Sequence, residues 1–200
     1  MTKDLVSALR PALVLTALFV LLLGFAYPLV LTGMAQALFP TQANGSLVRE
    51  GGRVIGSGLI GQRFASPAYF HGRPSAAGKD GYDATASSGS NLGPTSKVLA
   101  DRVRADLAAL PQTPERRPVP PDLVTASASG LDPHISPEAA AFQAGRVAAA
   151  RGLPEGQVRA LIARQTEGPL LGFLGEPRVN VLALNRALDR LAGKGAQAAR

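Results

Sequence analysis

The sequence predicts an α+β protein: one N-terminal transmembrane helix followed by a single mixed α/β domain. No charged residue lies between Arg10 and Arg49, and residues 12–31 (ALVLTALFVLLLGFAYPLVL) are almost entirely apolar. Short runs at 46–49 and 53–56 have the composition of strands. Further along the chain, apolar residues recur at spacings of three and four, which is the period of amphipathic helices.

The apolar run has the length of a membrane span. About 20 apolar residues cross the ~30 Å hydrocarbon core of a bilayer as a helix, and the helix satisfies its own backbone hydrogen bonds there. Gly24 and Pro28 interrupt the run, and both are tolerated where a neighbouring helix or local 3₁₀ turns take up the freed carbonyls. Together with Gly33 they either mark a face that packs on another membrane helix or belong to a plain lipid-facing anchor.

The apolar run has two alternative interpretations besides a membrane anchor. A secretory signal would use the small residues Ala35 and Ala37 as a cleavage pattern, but signal cores are usually ~7–15 residues long and this run is longer. A buried core helix is the other alternative. The basic residues Lys3 and Arg10 directly before the run favour the anchor.

The distribution of basic residues predicts the topology. Lys3 and Arg10 precede the helix, whereas the first basic residue after it is Arg49, so the positive-inside rule places the N-terminus in the cytoplasm. The absence of cysteine is compatible with an oxidising compartment. The predicted division is a cytoplasmic N-terminus at 1–11, a transmembrane helix at 12–34, an extracytoplasmic α+β domain at 41–192 and a disordered tail at 193–200.

The composition limits the classes of partner. The formal net charge is +7 and the pI about 10.5, but the basic residues are spread along the chain rather than gathered in blocks. Aromatic residues make up 5% of the chain and tryptophan is absent, so stacking platforms for single-stranded nucleic acid are not evident. A solvated basic surface is the simplest interpretation.

The segment after the membrane helix begins with strands and continues as a long irregular stretch. Runs at 46–49 and 53–56 flank a Glu-Gly-Gly turn, and residues 59–64 could add a further strand. Residues 65–94 have no sustained period, and loops longer than ~15 residues are usually functional or disordered. Because this loop is rich in recognition chemistry, we expect it to be ordered by contacts of its side chains. The candidates for a partner interface or for loop contacts are Tyr69, Phe70, His71, Arg73 and Asn91.

Helices dominate the second half. One is predicted to open at Gly93-Pro94, a proline-rich connector covers 111–121, and a strand is predicted at 122–125. Residues 127–134 form a second polar loop that carries Asp132 and His134. A capping serine, a proline and an acid at 136–138 start a helix that ends at Gly152, a second helix begins near Pro154, and Asn180 caps the last one.

No catalytic or metal-binding motif is visible. His71 and His134 lack partners at metal-ligand spacing, and no serine nucleophile motif occurs. The stretch 72–80 imitates a phosphate-binding P-loop, but five residues separate its glycines where four are required, and Asp80 replaces the magnesium-binding hydroxyl.

The residues between 148 and 164 are also compatible with one alternative function. Ala148, Gly152 and Val158 have the spacing of a helix-turn-helix, with Arg159 and Arg164 on its second helix, which would suit a membrane-tethered DNA-binding regulator. The predicted topology opposes it, because it places this segment outside the cytoplasm. A pair of amphipathic helices around a glycine turn is also common core architecture.

An ordered series of motifs identifies a family. Behind one N-terminal membrane helix, the chain carries in this order GLIGQ (58–62), YFHGRPS (69–75), SGSNLGP (88–94), DLVTAS (122–127), GLDPHISP (130–137) and GEPRVNVL (175–182). With this ordered set, the chain resembles the C subunit of the bacterial Kdp potassium-transporting P-type ATPase over nearly its whole length.

The resemblance implies a non-catalytic subunit of an inner-membrane, high-affinity potassium uptake complex. Its partners would be a channel-like A subunit, an ATP-hydrolysing P-type B subunit, a small F subunit and membrane lipid, with no nucleic acid. The C subunit is credited with assembly and, as a catalytic chaperone, with raising the ATP affinity of the B subunit. No cofactor is expected to be tightly bound, and ATP would be met only through the ternary complex with the B subunit.

The resemblance also implies a nucleotide segment. LPEGQ at 153–157 corresponds to the signature Leu-Ser-Gly-Gly-Gln of ABC proteins, which makes Gly156 and Gln157 candidate nucleotide contacts. Proline replaces the serine and Glu155 adds an acid, which weakens phosphate binding at a helix N-terminus. The predicted topology also places this segment away from cytoplasmic ATP, so we expect the extracytoplasmic loops at 69–91 and 127–134 to contact the potassium entrance of the A subunit.

Overall fold

The computed structural model describes residues 2–110 and 118–198. The chain divides into two compact units, Met1–Leu47 and Val48–Arg200. The first contains the apolar helix, and the second is a mixed domain of helices and short strands. The predicted fold class, an N-terminal apolar helix followed by an α+β domain, is confirmed.

The first unit is one long helix with a short helical extension. It runs through α1 (Thr2–Leu21), a π-helical turn (Leu22–Ala26) and α2 (Tyr27–Leu38), and α3 (Pro40–Ala43) follows. Within the described part of the chain, Val6–Leu38 is the one helix long and apolar enough to cross a membrane, and none of it is buried.

The interruption of this helix is a π turn rather than a 3₁₀ turn. The backbone N–H of Tyr27 donates to the carbonyl of Leu22, five residues back. Pro28 has no N–H to continue the ordinary ladder, and the wider π turn absorbs that loss at Gly24. A Cβ added at Gly24 or Gly33 would meet nothing within 4 Å in this chain, so the proposed helix-packing face stays a prediction.

The predicted hairpin is present at the start of the second unit. β1 (Leu47–Glu50) pairs with β2 (Arg53–Ser57) across the Gly51-Gly52 turn. The further strand expected at 59–64 is wrong, because only an isolated bridge between Ser57 and Ile60 forms there.

The helix α4 (Lys97–Ala109) begins later than predicted. Ser96, not Gly93-Pro94, provides the cap, and its Oγ accepts from the N–H of Leu99 at 3.4 Å. The connector predicted at 111–121 lies mostly outside the described residues, which resume at 118.

The strand predicted at 122–125 is also wrong. Residues Pro121–Leu123 form a 3₁₀ turn with Leu123 buried. A side-chain bond stabilises this turn, since the carboxylate of Asp122 accepts from the backbone N–H of Ser136 at 2.7 Å. The carboxylate thus bonds to a backbone group 14 residues further along the chain, which the apolar pattern alone did not reveal.

The two helices predicted after residue 136 are confirmed. Helix α5 (Pro137–Arg151) starts at Ser136, whose Oγ accepts from the N–H of Ala139 at 3.1 Å, and ends at Gly152 with φ of 63°. Helix α6 (Glu155–Gln165) follows Pro154 directly. The left-handed conformation at the end of α5 suits glycine, which has no Cβ to clash.

A small antiparallel sheet and the last helix complete the domain. The strand order is β3 (His134–Ile135), β5 (Arg178–Asn180), β4 (Thr166–Glu167). The predicted cap of α7 (Val181–Ala198) is confirmed, because the Oδ1 of Asn180 accepts from the N–H of Ala183 at 3.0 Å. The backbone of α7 is helical beyond 192 as far as Ala198, and the disordered tail at 193–200 stays a prediction.

The core lies between α5, α6, α7 and the central strand β5. Its fully buried side chains come from all of these elements and from one residue of the irregular segment: Phe70, Val147, Val158, Val179, Leu184 and Leu188. Phe70 therefore ties a stretch without regular structure into the centre of the domain.

Candidate functional site

Two buried side-chain amides hold the backbone of the irregular segment at Phe70 and His71. Asn185 on α7 accepts from the N–H of Phe70 at 2.8 Å and donates to its carbonyl at 2.9 Å. Gln143 on α5 accepts from the N–H of His71 at 2.8 Å and donates to its carbonyl at 3.0 Å. Each amide thus serves the peptide groups as a neighbouring strand would. We call residues 61–96 the clamped segment.

Two arginines on α5 hold the carbonyls just before this point. Arg146 donates to the carbonyls of Pro67 at 2.5 Å and Tyr69 at 3.0 Å, and Arg151 donates to that of Ala68 at 2.7 Å. Burial lowers the pKa of Arg146 below its usual range. These bonds satisfy peptide groups that have no strand or helix partner, which explains how the segment can lie against the core.

Tyr69 is held in the same cluster. The guanidinium of Arg151 lies 4.6 Å above its ring and forms an ion pair of 2.8 Å with Asp189 on α7. The hydroxyl of Tyr69 is 3.2 Å from the other oxygen of Asp189. The tyrosine is therefore braced by a cation and a carboxylate of the scaffold.

The clamped segment is joined directly to the second irregular loop. The bonds connect the backbone and side chains of 61–88 to residues 129–131: Gly61 N to Leu131 O at 2.7 Å, Ser88 N to Ser129 O at 3.0 Å, and Ser75 Oγ to Gly130 O at 2.5 Å. Residues 61–91 and 125–134 therefore form one continuous face, which we call the polar surface.

Arg73, Asp132 and His134 meet at the centre of the polar surface. Arg73 lies 3.6 Å from Asp132 and donates to the carbonyl and hydroxyl oxygens of Thr125 at 3.3 and 3.2 Å. Asp132 accepts from the backbone N–H of His134 at 2.9 Å, and its carboxylate lies 3.5 Å from the ring nitrogen. Hydrogen bonding by His134 lowers the pKa of Asp132 below 3.8, with smaller help from the charge of Arg73.

His71 is half-buried beside this cluster. Its Nε2 lies 3.0 Å from the carbonyl of Ser66. Burial lowers its pKa below 6.5 and the charge of Arg146 adds to that effect, although the hydrogen bond to Ser66 opposes both. We expect a neutral ring at pH 7.

The residues predicted to contact a partner fall into two groups. Phe70 is 0% exposed and packs in the core, so it supports the surface from below. Asn91 is exposed, with φ of 52°. Arg73, Asp132 and His134 keep 24–30% of their side chains exposed, which leaves polar atoms at the surface. Whether any of them contacts a partner stays a prediction.

A cleft of about 670 Å³ opens beside the polar surface, between the clamped segment, α4 and α5. Arg63, Arg73 and Arg146 line it together with the apolar residues Phe64 and Phe142. The charge favours anionic groups, but the guanidinium N–H groups of Arg73 and Arg146 already bond to protein oxygens. The cleft is therefore basic in charge and poor in free donors.

The candidate nucleotide segment lies at the start of α6, away from the clamped segment in sequence. Gly156 and Gln157 are exposed, and the space beside Gly156 is open. Glu155 in the same turn forms an ion pair of 2.6 Å with Arg159. An acid here opposes the helix dipole's attraction for phosphate, and it occupies the nearest cation.

The geometry of the described residues supports neither a metal site nor a DNA-binding helix-turn-helix. In the described ranges, no group of three or more His, Cys, Asp or Glu side chains is arranged to hold a metal ion. The helix pair α5–α6 exists, but its valines Val147 and Val158 are fully buried in the core. The pair therefore packs as ordinary core architecture.

Sequence reasoning missed the residues that build the polar surface. Gln143, Arg146 and Asn185 were not singled out, although each interrupts an apolar helical face with a polar side chain. A buried polar residue normally has a hydrogen-bond partner. The rule predicts hydrogen-bond partners for Gln143, Arg146 and Asn185. In the structure these partners are backbone groups of the clamped segment.

These observations define a class before any particular family. A helix long and apolar enough to span a membrane, followed by one α+β domain, is the organisation of a single-span protein with an appended domain.

The chain belongs to the family described as K+-transporting ATPase, c chain, which matches residues 9–190. Similar proteins are the potassium-transporting ATPase KdpC subunits of Caulobacter vibrioides and Nitratidesulfovibrio vulgaris. The first is 63% identical over 186 residues, covering 92% of this chain and 94% of the relative. The second is 59% identical over 195 residues, covering 96% and 99%.

Family membership confirms the resemblance found in the motifs. It classes the chain with an accessory subunit of the ATPase rather than with the catalytic one. The comparisons give no support to the DNA-binding alternative.

Proposed function

We propose that this chain assists the assembly of a high-affinity, ATP-driven potassium uptake complex in the bacterial inner membrane. Its partners there are a channel-like A subunit, an ATP-hydrolysing P-type B subunit, a small F subunit and the surrounding lipid. Support comes from the KdpC relatives, which are named as subunits of a potassium-transporting ATPase.

The observation that carries this proposal is the polar surface. A stretch of 36 residues without helix or strand between 61 and 96 would normally cost much conformational entropy to order. Here side chains of α5 and α7 hold residues 67–71, and hydrogen bonds to residues 129–131 hold the segment at Gly61, Ser75 and Ser88. A preordered face loses little further freedom on binding, which is the property of an efficient docking surface.

The polar surface faces the outside of the membrane in this proposal. Residues 1–11 lie in the cytoplasm, 12–34 cross the bilayer and the domain from 41 to 192 lies outside, as the positive-inside rule requires. The exposed Asn91 and the cluster of Arg73, Asp132 and His134 then contact the A subunit near its potassium entrance. Tyr69, Phe70 and His71 hold that face in position.

The effect on ATP affinity is transmitted through the assembled complex. In its role as catalytic chaperone, the chain raises the ATP affinity of the B subunit without holding a cofactor itself. Direct contact through Gly156 and Gln157 would require the domain on the cytoplasmic side, and Glu155 disfavours it. The outside topology and indirect action on the B subunit are therefore proposed together.

The test replaces side chains on the polar surface while preserving its backbone. Asn91→Gly keeps access to positive φ, and Asp132→Asn keeps the shape of the side chain but removes its charge. We expect each to lower the yield of co-purified complex or to weaken potassium affinity about tenfold, the effect of losing a good interface contact.

Arg190→Ala on an exposed position of α7 serves as the control. Potassium affinity and complex yield that stay at the control level in both surface variants would contradict the proposal. The ATP dependence of hydrolysis should be measured in the same preparations.

A further inference from the structure

The hairpin between β4 and β5 presents three of the most exposed large hydrophobic side chains of the second unit. Leu170 is 70% exposed, Leu171 76% and Phe173 73%, while Leu174 beside them is 49% exposed. Scattered exposed apolar residues are ordinary, but a contiguous group of them marks a contact site. We call residues 169–175 the apolar tip.

The apolar tip is ordered by its own backbone bonds. Leu170 and Leu174 exchange two N–H to carbonyl bonds of 2.9 Å each, and the N–H of Gly172 donates to the carbonyl of Pro169 at 3.0 Å. These backbone bonds give the tip a defined shape.

The base of the hairpin is fixed in the core. Val179 on β5 is fully buried and pairs with Thr166 on β4. One residue further out, Arg178 and Glu167 pair across the strands and form an ion pair of 3.0 Å. The tip is thus held away from the core on a short, braced stem.

Leu171 occupies a backbone conformation that leucine rarely adopts. Its φ is 55°, in the left-handed region that costs an L-residue about 1–2 kcal/mol relative to glycine. Its side chain is 76% exposed, so it gains little from burial within the chain in return. An outlier of this kind points to a role for the side chain outside the chain.

The chemistry around the tip favours a protein pocket over a lipid surface. Residues 167–178 carry two glutamates and one arginine, which gives a net charge of −1. Segments that lie in the membrane interface combine their apolar side chains with lysine and arginine and are often anchored by tryptophan or tyrosine. The apolar tip contains no lysine, arginine, tryptophan or tyrosine, and the net negative charge of its flanking residues is repelled by anionic lipid.

A second copy of this chain is also a poor occupant. Self-association through one short hairpin would bury far less than the ~1,200 Å² of a stable interface. In complexes between different proteins, by contrast, a few side chains buried in a pocket can carry much of the affinity over a small contact area.

We propose that the apolar tip inserts Leu171 and Phe173 into an apolar pocket on another subunit of the complex. Glu176 at the edge of the tip has no ion-pair partner among the described residues. The rim of the pocket is therefore basic, which complements the charge of Glu176. This inference rests on the proposed function, because it requires that the chain assemble with other subunits. It adds a second contact that is chemically distinct from the polar surface.

A photo-crosslinking residue at the tip identifies what it touches. We would replace Phe173 by p-benzoylphenylalanine, which keeps the aromatic ring, and irradiate the purified complex of co-expressed subunits. The expected product is a covalent adduct with another subunit, located by mass spectrometry. An adduct with lipid, an adduct with a second copy, or no adduct in an intact complex would each overturn the inference.

A paired variant measures the contribution of the contact. Leu171→Asn with Phe173→Asn removes the apolar groups, and asparagine tolerates the left-handed region at 171. We expect the recovery of the other subunits to fall about tenfold or more. The matched control is Val98→Asn, which removes a side chain that is 66% exposed on α4.

The outcomes separate this inference from the proposed function. If the unmodified chain fails to co-purify with other subunits, the proposed function fails. If the complex forms and responds to Asn91→Gly, but the tip variant behaves like Val98→Asn, then the proposed function stands and the inference about the tip is wrong.

Discussion

The clamped segment and the apolar tip are ordered by opposite means. The clamped segment has no helix or strand, yet Phe70 within it is fully buried and its peptide groups are bonded to side chains of α5 and α7. The tip has regular hairpin bonds, yet its large side chains are exposed. In the first, the scaffold supplies the order. In the second, the local backbone does.

A segment of this domain can be ordered without having regular secondary structure. Buried peptide groups need partners, but those partners can be amide and guanidinium side chains as well as strands. A segment held in this way depends on a few distant residues, whereas the tip depends on none. Substitutions in the scaffold should therefore destabilise the clamped segment strongly, and substitutions of side chains at the tip should hardly affect folding.

The largest effect is expected for Asn185→Ala. The change leaves the buried N–H and carbonyl of Phe70 without partners, at about 1–3 kcal/mol each, so we expect a loss of roughly 4 kcal/mol in the free energy of unfolding. Urea unfolding of the full chain in detergent, followed by circular dichroism, measures it. The control Gln157→Ala removes an exposed amide on α6 and should cost less than about 0.5 kcal/mol. Equal losses in the two variants would show that Asn185 does not hold the clamped segment.

Two glycines with the same backbone angle test the junction of the polar surface. Gly130 has φ of 66°, and an added Cβ would lie 2.5 Å from the carbonyl oxygen of Ser88 and 2.7 Å from the nitrogen of Ala77. Gly152 has φ of 63° but open space around it. We expect Gly130→Ala to cost about 3 kcal/mol through strain and overpacking, and Gly152→Ala about 1 kcal/mol through strain alone. Similar losses in thermal unfolding would show that the junction is loose.

A smaller, pH-dependent effect is expected from His71. Burial lowers its pKa in the folded chain below 6.5, so the unfolded chain binds the proton first as the pH falls. Stability should therefore be full above about pH 6.5 and decrease below it. Unfolding measured from pH 7.5 to 5 should show this decrease, and His71→Gln should reduce it. An unchanged slope in that variant would contradict the buried position of the ring.

The smallest effect on folding is expected at the tip. Leu171→Gly relieves the left-handed strain but increases the freedom of the unfolded chain, and these two terms nearly cancel. We expect the free energy of unfolding to change by less than about 1 kcal/mol. A loss comparable to that of Asn185→Ala would mean that the tip is part of the folded core rather than a projecting contact.

Much of the fold follows from local patterns. The apolar run, the hairpin turn at Gly51-Gly52 and the caps at Ser136 and Asn180 were predictable, because each is specified by neighbouring residues. The strand predicted at 122–125 failed because Asp122 bonds to Ser136, which no local pattern shows. The π turn escaped notice because the sequence shows only that Pro28 lacks an N–H, not how the helix adjusts.

The site was predictable only in outline. The sequence marked the loops at 69–91 and 127–134 as unusual, but not that Gln143 and Asn185 hold one of them or that Phe70 is buried. Those contacts join residues 72 and 115 positions apart. Pairings at such separations come from the packing of the whole domain. The apolar tip was not singled out, because the sequence alone does not show that its leucines and Phe173 are exposed.

Hydrogen–deuterium exchange at Phe70 and His71 tests most directly whether the clamped segment is ordered by the scaffold. The measurement uses the full chain in detergent, without partners, and compares these two amides with those of helix α5. We expect Phe70 and His71 to exchange as slowly as the core of α5, although no helix or strand protects them. Exchange at the rate of an unstructured chain would show that the segment is not held in advance, and the polar surface would then not be a preordered docking face.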